Sequence, residues 1–171
     1  SAIATINKVA PGRVTLAMGT GYTGRNTMGL NSVPVSMFKE YTQQVGGLLR
    51  GEDVLYREGD QDRWIRLVHA DRGGFINIKD PIPIYLAANG PRTLRVVGEL
   101  ADGWVTTGAG RNLDNDYASI REASEKAGRG TAKPYTVWLI PGCVLQDGES
   151  LTSERVMAQV APNIVMRSHA Q

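Results

Sequence analysis

Three short segments rich in glycine and threonine combine the groups that an anionic ligand binds. They are Gly19-Thr20-Gly21, Ala88-Asn89-Gly90-Pro91 and Thr106-Thr107-Gly108, and each directly follows a run of strand-forming residues. Hydroxyls, accessible backbone amides and the positive end of a following helix suit a phosphate. In parallel α/β folds the carboxyl ends of the strands meet at one edge, where ligands bind. The three segments together predict one ligand-binding face.

The segment Asn89-Gly90-Pro91 has the clearest phosphate-binding chemistry. Gly90 lets the backbone approach a ligand closely, and Pro91 opens a helix at a position where its missing amide would be unpaired anyway. A plain tight turn between a strand and a helix would use the same residues, so this segment alone leaves both interpretations open. The recurrence of similar chemistry at three strand ends favours the ligand-binding face.

Two other kinds of site are not supported by the spacing of the residues. Gly19-Thr20-Gly21 is not followed by the glycine pattern of a dinucleotide-binding fingerprint. His69 and His169 are far apart and have no cysteine or carboxylate at metal-ligand spacing. We therefore predict no metal site.

Several residues near the three segments have a structural interpretation. Asp102, just before Gly103, is interpreted as a turn or cap residue at the opposite, stabilising end of the sheet. Trp104 and Trp138 lie in predicted strands and are interpreted as core residues. Three loop residues near the predicted ligand face are candidate contacts: Arg25, Trp64 and Arg111.

The elements that position the segments alternate between strand and helix. Apolar residues at helical spacing, an N-capping residue at Ser32 and helix-ending glycines at Gly51 and Gly128 mark the helices. Predicted helices cover residues 3–9, 32–49, 91–101, 114–127 and 150–171, and predicted strands cover 13–18, 82–87, 103–107 and 135–145. Residues 22–31 are predicted to form a loop, and residues 52–79 a short hairpin or irregular insertion. The alternation predicts a parallel sheet with right-handed crossovers.

The composition argues against several classes of protein. A length of 171 residues with 42% hydrophobic content suits one globular domain. The net charge of +2, without a run of basic residues, argues against nucleic-acid binding. No apolar run approaches the ~20 residues of a membrane helix. The single cysteine, Cys143, has apolar flanks and is predicted to be a buried thiol in a protein of the reducing cytoplasm.

Three motifs resemble those of the bacterial luciferase-like superfamily. They occupy residues 12–21, 83–91 and 98–103, and the resemblance extends over about residues 1–143. They are most similar to the deazaflavin-dependent branch, which includes methylenetetrahydromethanopterin reductase and sugar-phosphate dehydrogenases. The resemblance implies an α/β fold, a (βα)8 TIM barrel, that binds coenzyme F420, or alternatively FMN, at the carboxyl ends of its strands.

Carried over position by position, the resemblance implies a role for each segment. Residues 88–91 match the family's turn around the phosphate side chain of the cofactor, and residues 106–108 match the next strand end of the same region. Residues 19–21 match the strand end that lies along the ring system. Tyr22 stands where several deazaflavin enzymes have an acidic residue, which argues against a sugar-phosphate dehydrogenase activity.

The resemblance also implies an activity. The leading expectation is an oxidoreductase that transfers a hydride between coenzyme F420 and a small organic substrate. An FMN-dependent luciferase-like monooxygenase is the alternative enzyme, and a non-catalytic flavin-binding or assembly module is the alternative of another class. Residues 1–171 match about four of the eight βα units, the fourth to the seventh, as one partial barrel domain with an insertion at about 52–79. The family's proton-handling chemistry belongs largely to the first three strands, so no catalytic residue is assigned.

Four parallel strands would leave one sheet face and two edges without a partner. We expect apolar side chains on that inner face, among them Leu16, Ile84, Val105 and Leu139. Because monomers rarely leave such surface bare, we expect the chain to belong to a longer polypeptide or to a homodimer or larger homo-oligomer.

Overall fold

The computed structural model describes residues 1–68, 74–107 and 110–168. The chain divides into two compact units, Ser1–Trp138 and Leu139–Gln171. All the strands of the described residues lie in the first unit, and one long helix lies in the second. That residues 1–171 form one barrel domain with an insertion at 52–79 stays a prediction.

The first unit alternates helices and strands. Its helices are α1 (Ala2–Val9), α2 (Tyr22–Thr27), α3 (Val35–Leu49), α4 (Pro91–Leu100) and α5 (Leu113–Lys126). Its strands are β1 (Leu16–Met18), β2 (Val54–Glu58), β3 (Gln61–Ile65), β4 (Ile84–Ala87), β5 (Gly103–Thr106) and β6 (Tyr135–Trp138).

Four of the strands form one sheet, in the order β1-β4-β5-β6. All three pairings are parallel, and Met18, Leu86, Trp104 and Thr136 lie in one row across the sheet. A helix separates each of these strands from the next along the chain. The predicted parallel sheet with helical crossovers is confirmed.

The core lies where the sheet meets the helices. Leu86 of β4 and Trp104 of β5 are completely buried, in one cluster with Val97 of α4 and Ile120 of α5. These side chains occupy the periodic apolar positions of their elements, and their burial is the main stabilising contribution to the unit. The prediction that Trp104 is a core residue is confirmed.

The prediction for the open face of the sheet is wrong for Leu16 and Ile84. Successive side chains of a strand point to opposite faces. Ile84 is buried in the core cluster, and Leu16 pairs with it and packs against the same cluster. The open face instead carries the residues one position further along: Ala17, Tyr85, Ala87, Gly103, Val105, Tyr135 and Val137. Val105 is on this face as predicted, whereas Leu139 lies beyond β6.

Gly103 leaves room for an aromatic ring on this open face. A Cβ on Gly103 would lie 2.5 Å from the ring of Tyr85, so the tyrosine ring lies across the glycine. The centroid of the Tyr135 ring, on β6, lies 5.7 Å from that of the Tyr85 ring. The two tyrosines form an aromatic layer at the row that is nearer the amino ends of the strands.

The excursion between α3 and β4 contains an antiparallel hairpin, β2–β3. Gly59 is in the left-handed region (φ 60°) within the tight turn, and Arg57 and Asp62 form a two-point ion pair across the strands. Of the two predicted alternatives for residues 52–79, the hairpin is therefore found in 54–65.

Some predicted element boundaries are wrong. Residues 22–27 form a helical turn and a half instead of a loop, and α3 begins after Pro34 instead of Ser32. β6 ends at Trp138 and does not reach residue 145, and Pro141-Gly142, a turn-forming pair, follows three residues later. Trp138, predicted to be core, is 45% exposed at that strand end.

The second unit contains helix α6 (Glu154–Ser168). Ser153 precedes it, and the Ser153 Oγ accepts a hydrogen bond from the Val156 amide, the usual cap of a helix start. Cys143, predicted to be buried, is only half-buried. Among the described residues, no helix is long and apolar enough to cross a membrane.

Candidate cofactor site

The predicted ligand-binding segments follow neighbouring strands of the sheet. β1, β4 and β5 run parallel, so the segments that begin at Gly19, Ala88 and Thr107 leave the sheet at its carboxyl edge. A Cβ on Gly19 would lie 3.2 Å from the Cβ of Ala87, which shows how closely the first segment approaches the end of β4. Gly108 lies outside the described residues. Ligand binding by these segments stays a prediction.

The turn after β4 is held by three consecutive residues of β5. The Val105 carbonyl accepts a hydrogen bond from the Ala88 amide (3.2 Å), and the Trp104 indole Nε1 donates to the Ala88 carbonyl (2.8 Å). The Thr106 hydroxyl donates to the Asn89 side-chain Oδ1 (3.1 Å). The backbone and the polar side chain of the turn are therefore fixed before any ligand arrives, as preorganised binding requires.

Helix α4 begins immediately after this turn. Thr93 Oγ1 accepts a hydrogen bond from the Gly90 amide (3.2 Å) and donates to the Gly90 carbonyl (2.9 Å). The first bond of the helix runs from the Leu94 amide to the Gly90 carbonyl (2.9 Å), so the amides of Arg92 and Thr93 precede the helical ladder. Such first-turn amides, with the positive helix end, suit a phosphate oxygen.

Gly90 is not required by the fold. Its backbone is extended (φ −95°), and a Cβ there would meet nothing nearer than Thr93 Oγ1 at 3.7 Å among the described residues. The open space at Gly90 is therefore available to a ligand, and a larger side chain would fill it. This observation fits the close backbone approach that a bound phosphate needs.

The segment after β1 is held by hydrogen bonds within its own loop. Gly21 is left-handed (φ 72°) and precedes α2, whose first residue, Tyr22, is exposed. The Thr20 carbonyl accepts a hydrogen bond from the Val33 amide (2.9 Å). Arg25, a candidate contact, instead donates from Nε to the Asn31 carbonyl (2.6 Å) and so secures the loop.

Of the two other candidate contacts, Arg111 has a partner within the fold and Trp64 is exposed. Arg111 forms a two-point ion pair with the buried Asp116 of α5, at 2.6 and 2.7 Å. Asn112 caps that helix by accepting a hydrogen bond from the Asn115 amide (3.2 Å). Trp64 lies on the exposed hairpin, opposite Leu55.

At the opposite edge of the sheet, where the amino ends of the strands lie, Asp102 has a structural role. Asp102 Oδ2 accepts a hydrogen bond from the Ile84 amide (2.9 Å), and the Asp102 amide donates to the Ile84 carbonyl (2.8 Å). Asp102 therefore joins the starts of β4 and β5, and its predicted position at the stabilising end is confirmed.

A large cavity lies at that opposite edge. It measures about 1170 Å³ and is lined by Ile84, Asp102 and the end of α3. Arg50 and Glu52 in its wall form an ion pair of 2.6 Å, and the hydrogen bond from Arg50 lowers the pKa of Glu52. Because the amino ends of barrel strands serve stability and the carboxyl ends serve binding, we assign the site to the carboxyl edge despite the size of this cavity.

Sequence reasoning missed two contributors to the site. Trp104 was interpreted only as core, and its indole bond to Ala88 depends on the register between β4 and β5, which no local pattern reveals. Thr93 could have been found, because a polar side chain three residues after the cap can accept a hydrogen bond from the cap amide, as glutamate or glutamine does in the capping box. No group of three or more residues able to hold a metal ion occurs in the part of the chain that the structure describes. His69 and His169 lie outside that part.

Four parallel strands joined by helices, with the turn at residues 88–91 at the carboxyl edge, define an α/β protein whose sheet is that of part of a βα barrel. A family model described as luciferase-like monooxygenase matches residues 1–170. The chain therefore belongs to the luciferase-like monooxygenase family, and the resemblance to the bacterial luciferase-like superfamily is confirmed.

Two relatives illustrate the similarity in sequence. The chain is 34% identical over 142 residues to an F420-dependent glucose-6-phosphate dehydrogenase of Nakamurella multipartita, covering 75% of this chain and 38% of that protein. It is 32% identical over 133 residues to a 5,10-methylenetetrahydromethanopterin reductase of Methanolobus tindarius, with the same two coverages of 75% and 38%. The chain thus spans about two fifths of the length of these relatives.

Two solved structures share the fold. The coenzyme F420 dependent tetrahydromethanopterin reductase from Methanopyrus kandleri superposes with a TM-score of 0.56 at 23% identity, over 78% of this chain and 42% of that chain. An F420-dependent secondary alcohol dehydrogenase in complex with an F420–acetone adduct gives 0.59 at 21% identity, over 78% and 41%. The predicted fold class, a TIM barrel of which this chain holds about four parallel βα units, is confirmed.

Proposed function

We propose that the protein is an oxidoreductase that transfers a hydride between the deazaflavin coenzyme F420 and a small organic substrate. The observation that carries the proposal is the preorganised turn at residues 88–91, which opens directly into the first-turn amides of α4. The names of the similar proteins, all F420-dependent or acting on methylenetetrahydromethanopterin, support the same cofactor class.

The residues of the turn fit the phosphate of such a cofactor. Asn89, Gly90 and the amides of Arg92 and Thr93 offer donors and open space, and no carboxylate lies in residues 88–93 to repel an anion. We propose that Thr107 and Gly108 border the same phosphate region. This arrangement would bind the cofactor by its side chain and leave the rings free to lie toward the next strand end.

The open face of the sheet supports the proposed position of the rings. Ala17 and Ala87, with Gly19 beside them, are small and exposed, and Val105 continues their surface. A flat ring system can approach such a surface closely. When bound, coenzyme F420 supplies the hydride chemistry, and the protein's part is to bind, orient and exclude water.

We propose that the substrate is a small organic molecule other than a sugar phosphate. Tyr22, exposed at the start of α2 beside Gly21, is an uncharged aromatic side chain. Several deazaflavin enzymes carry an acidic residue at this position, so a reaction that needs a carboxylate there is not supported by this chain. We also propose that the protein acts in the cytoplasm and as a homodimer or larger homo-oligomer.

Replacement of Gly90 by valine tests the proposed phosphate site. We expect Gly90→Val to weaken F420 binding about tenfold, because the added carbon atoms fill the space that the phosphate would occupy. Isothermal titration calorimetry of the purified protein with F420 measures the affinity. Gly90→Ala, whose Cβ meets only ordinary contact, shows whether the effect grows with side-chain size.

A matched control separates the loss of binding from a loss of folding. A Cβ on Gly142 would meet nothing within 4 Å among the described residues, so Gly142→Val should leave both the affinity and the unfolding temperature unchanged. Unchanged F420 affinity in a folded Gly90→Val protein would sink the assignment of this turn.

An FMN-dependent monooxygenase is the second candidate, because the matching family model is described as a luciferase-like monooxygenase. Parallel titrations with F420 and with FMN distinguish the two. Selective F420 binding supports the hydride-transfer proposal, and selective FMN binding supports the monooxygenase. If neither cofactor binds, a non-catalytic binding or assembly module becomes the better description.

A further inference from the structure

We infer that Thr106 is a positioning residue, which sets the side-chain amide of Asn89 toward the ligand and does not itself contact the ligand. The inference rests on the proposed function, because it concerns the same phosphate site. It changes the role of Thr106 from a cofactor contact to a residue that acts through Asn89.

The burial of Thr106 is the first observation. Its side chain is 2% exposed at the end of β5, whereas Asn89 on the neighbouring strand end is exposed. A bound molecule at the carboxyl edge can therefore reach Asn89 but not the hydroxyl of Thr106.

The direction of the hydrogen bond is the second observation. The Thr106 hydroxyl donates to Asn89 Oδ1 over 3.1 Å. With its oxygen engaged, Asn89 presents its Nδ2, which carries two N–H donors, from the other branch of the planar side-chain amide. Two donors next to the first-turn amides of α4 are the groups that a phosphate oxygen accepts from.

The backbone of the turn is held without Thr106. Trp104 donates to the Ala88 carbonyl, and the Ala88 amide donates to the Val105 carbonyl. Loss of the Thr106 hydroxyl should therefore release the Asn89 side chain while the turn keeps its course. This separation makes the positioning role testable.

A double-mutant cycle on F420 affinity tests the inference. We expect Thr106→Val, which keeps the shape and removes the hydroxyl, to weaken F420 binding roughly two- to tenfold, as for one hydrogen bond. We expect Asn89→Ala to weaken it at least as much, and Thr106→Val/Asn89→Ala to bind no worse than Asn89→Ala alone. Thr106→Ser, which restores the hydroxyl, should recover the wild-type affinity.

A second readout reports on the positioning directly and needs no ligand. In ¹⁵N spectra, the side-chain amide of Asn89 should be well defined in the wild type and in Thr106→Ser, and averaged by motion in Thr106→Val. Additive effects of the two single substitutions on affinity, or an unchanged Asn89 signal in Thr106→Val, would overturn the inference. Unfolding temperatures of all four variants show whether any change merely reflects lost stability.

Failure of the proposed function gives a different result. If the wild type binds FMN or inorganic phosphate but not F420, the F420 assignment is wrong, and the same cycle measured with the bound probe decides the role of Thr106. If the wild type binds none of the three, both the proposed function and the inference are overturned.

Discussion

Gly90 lies at the start of α4 and Gly98 lies within the helix. Their surroundings impose opposite requirements on the size of the side chain. A Cβ on Gly90 would meet ordinary contact only, whereas a Cβ on Gly98 would lie 2.2 Å from the Ile120 carbonyl oxygen and 2.9 Å from the Ser124 amide. Backbone atoms of α5 cannot move aside cheaply. Gly98 therefore serves the close packing of two helices, and Gly90 leaves space for a ligand.

We predict that Gly98→Ala destabilises the protein. Alanine favours a helix over glycine by about 1 kcal/mol, but forcing α5 away from α4 costs about 1–3 kcal/mol, and a contact of 2.2 Å puts the cost near the upper end. The net change should be a loss of about 1–2 kcal/mol in the free energy of unfolding. Urea denaturation measures it.

Gly90→Ala is the control for that measurement, because it makes the same chemical change eight residues earlier, at the N-cap of the same helix. Because Gly90 is the N-cap of α4, where glycine is preferred to alanine, this substitution should lower the free energy of unfolding by less than about 1 kcal/mol, below the loss for Gly98→Ala. Equal destabilisation by both substitutions would contradict the packing argument. The same logic explains Gly103, over which the ring of Tyr85 lies.

At the scale of helices and strands, the sequence predicts the element ends that local residue types determine. The strand ends could be predicted because Gly19 and Gly90 stand between periodic apolar runs and polar turns. The end of β6 was predicted too late, although Pro141-Gly142 carried the stop signal. The helical turns of α2 contain Gly24 and no apolar periodicity, so no local pattern distinguishes them from a loop.

Other features depend on register and could not be predicted from one sequence. The sequence is compatible with Leu16 and Ile84 on either face of the sheet. Only the pairing of β1 with β4 in the structure shows that both face the core. The indole of Trp104 likewise meets Ala88 only because β5 pairs beside β4. The site segments were therefore predictable, and the groups that hold them were not.

The start of α6 shows how one carboxylate organises an element. Glu149 accepts hydrogen bonds from Arg155, from the Gln146 amide (2.9 Å) and from the Ser153 hydroxyl (2.8 Å). These bonds, that from Arg155 above all, lower the pKa of Glu149 to about 2. A carboxyl group with a lowered pKa stabilises the fold only while it is ionised.

We predict that the capping of α6 is lost only in strong acid. The contribution of Glu149 should be complete above its ordinary pKa of 4.5 and should disappear as the pH falls through about 2. Amide exchange at Val156 should be slower in the wild type than in Glu149→Gln at pH 6, and the difference should shrink as the pH falls through this range.

Glu154→Gln is the matched control, since Glu154 is an exposed glutamate in the first turn of the same helix. It should change the exchange at Val156 less than Glu149→Gln does. A carboxyl titration of Glu149 near pH 4.5 would contradict the assigned hydrogen-bond network.

At the scale of the whole molecule, the first unit leaves one sheet face and both sheet edges open. Among the described residues, β1 and β6 each have one neighbouring strand, so the outer backbone groups of both have no partner strand there. Tyr135 is 67% exposed at one of these edges, and Trp138 follows it on the same strand. Exposed edges with apolar side chains are surfaces that natural monomers usually cover.

We therefore predict that residues 1–171, expressed alone, do not behave as a stable monomer. Light scattering coupled to size-exclusion chromatography should show self-association, and thermal unfolding should be broad, because edge strands pair with other chains and the open face buries little apolar area. Replacing Trp138 by lysine places a charge on the β6 edge and should reduce the association, as charged residues do on natural edge strands. Trp104 and Leu86 lie in the row of Thr136, two residues before Trp138, and are completely buried, so the variant should keep its secondary structure. A monodisperse wild-type monomer with a sharp, cooperative transition would show that the open face and edges need no partner, and the expectation of a larger assembly would then be wrong.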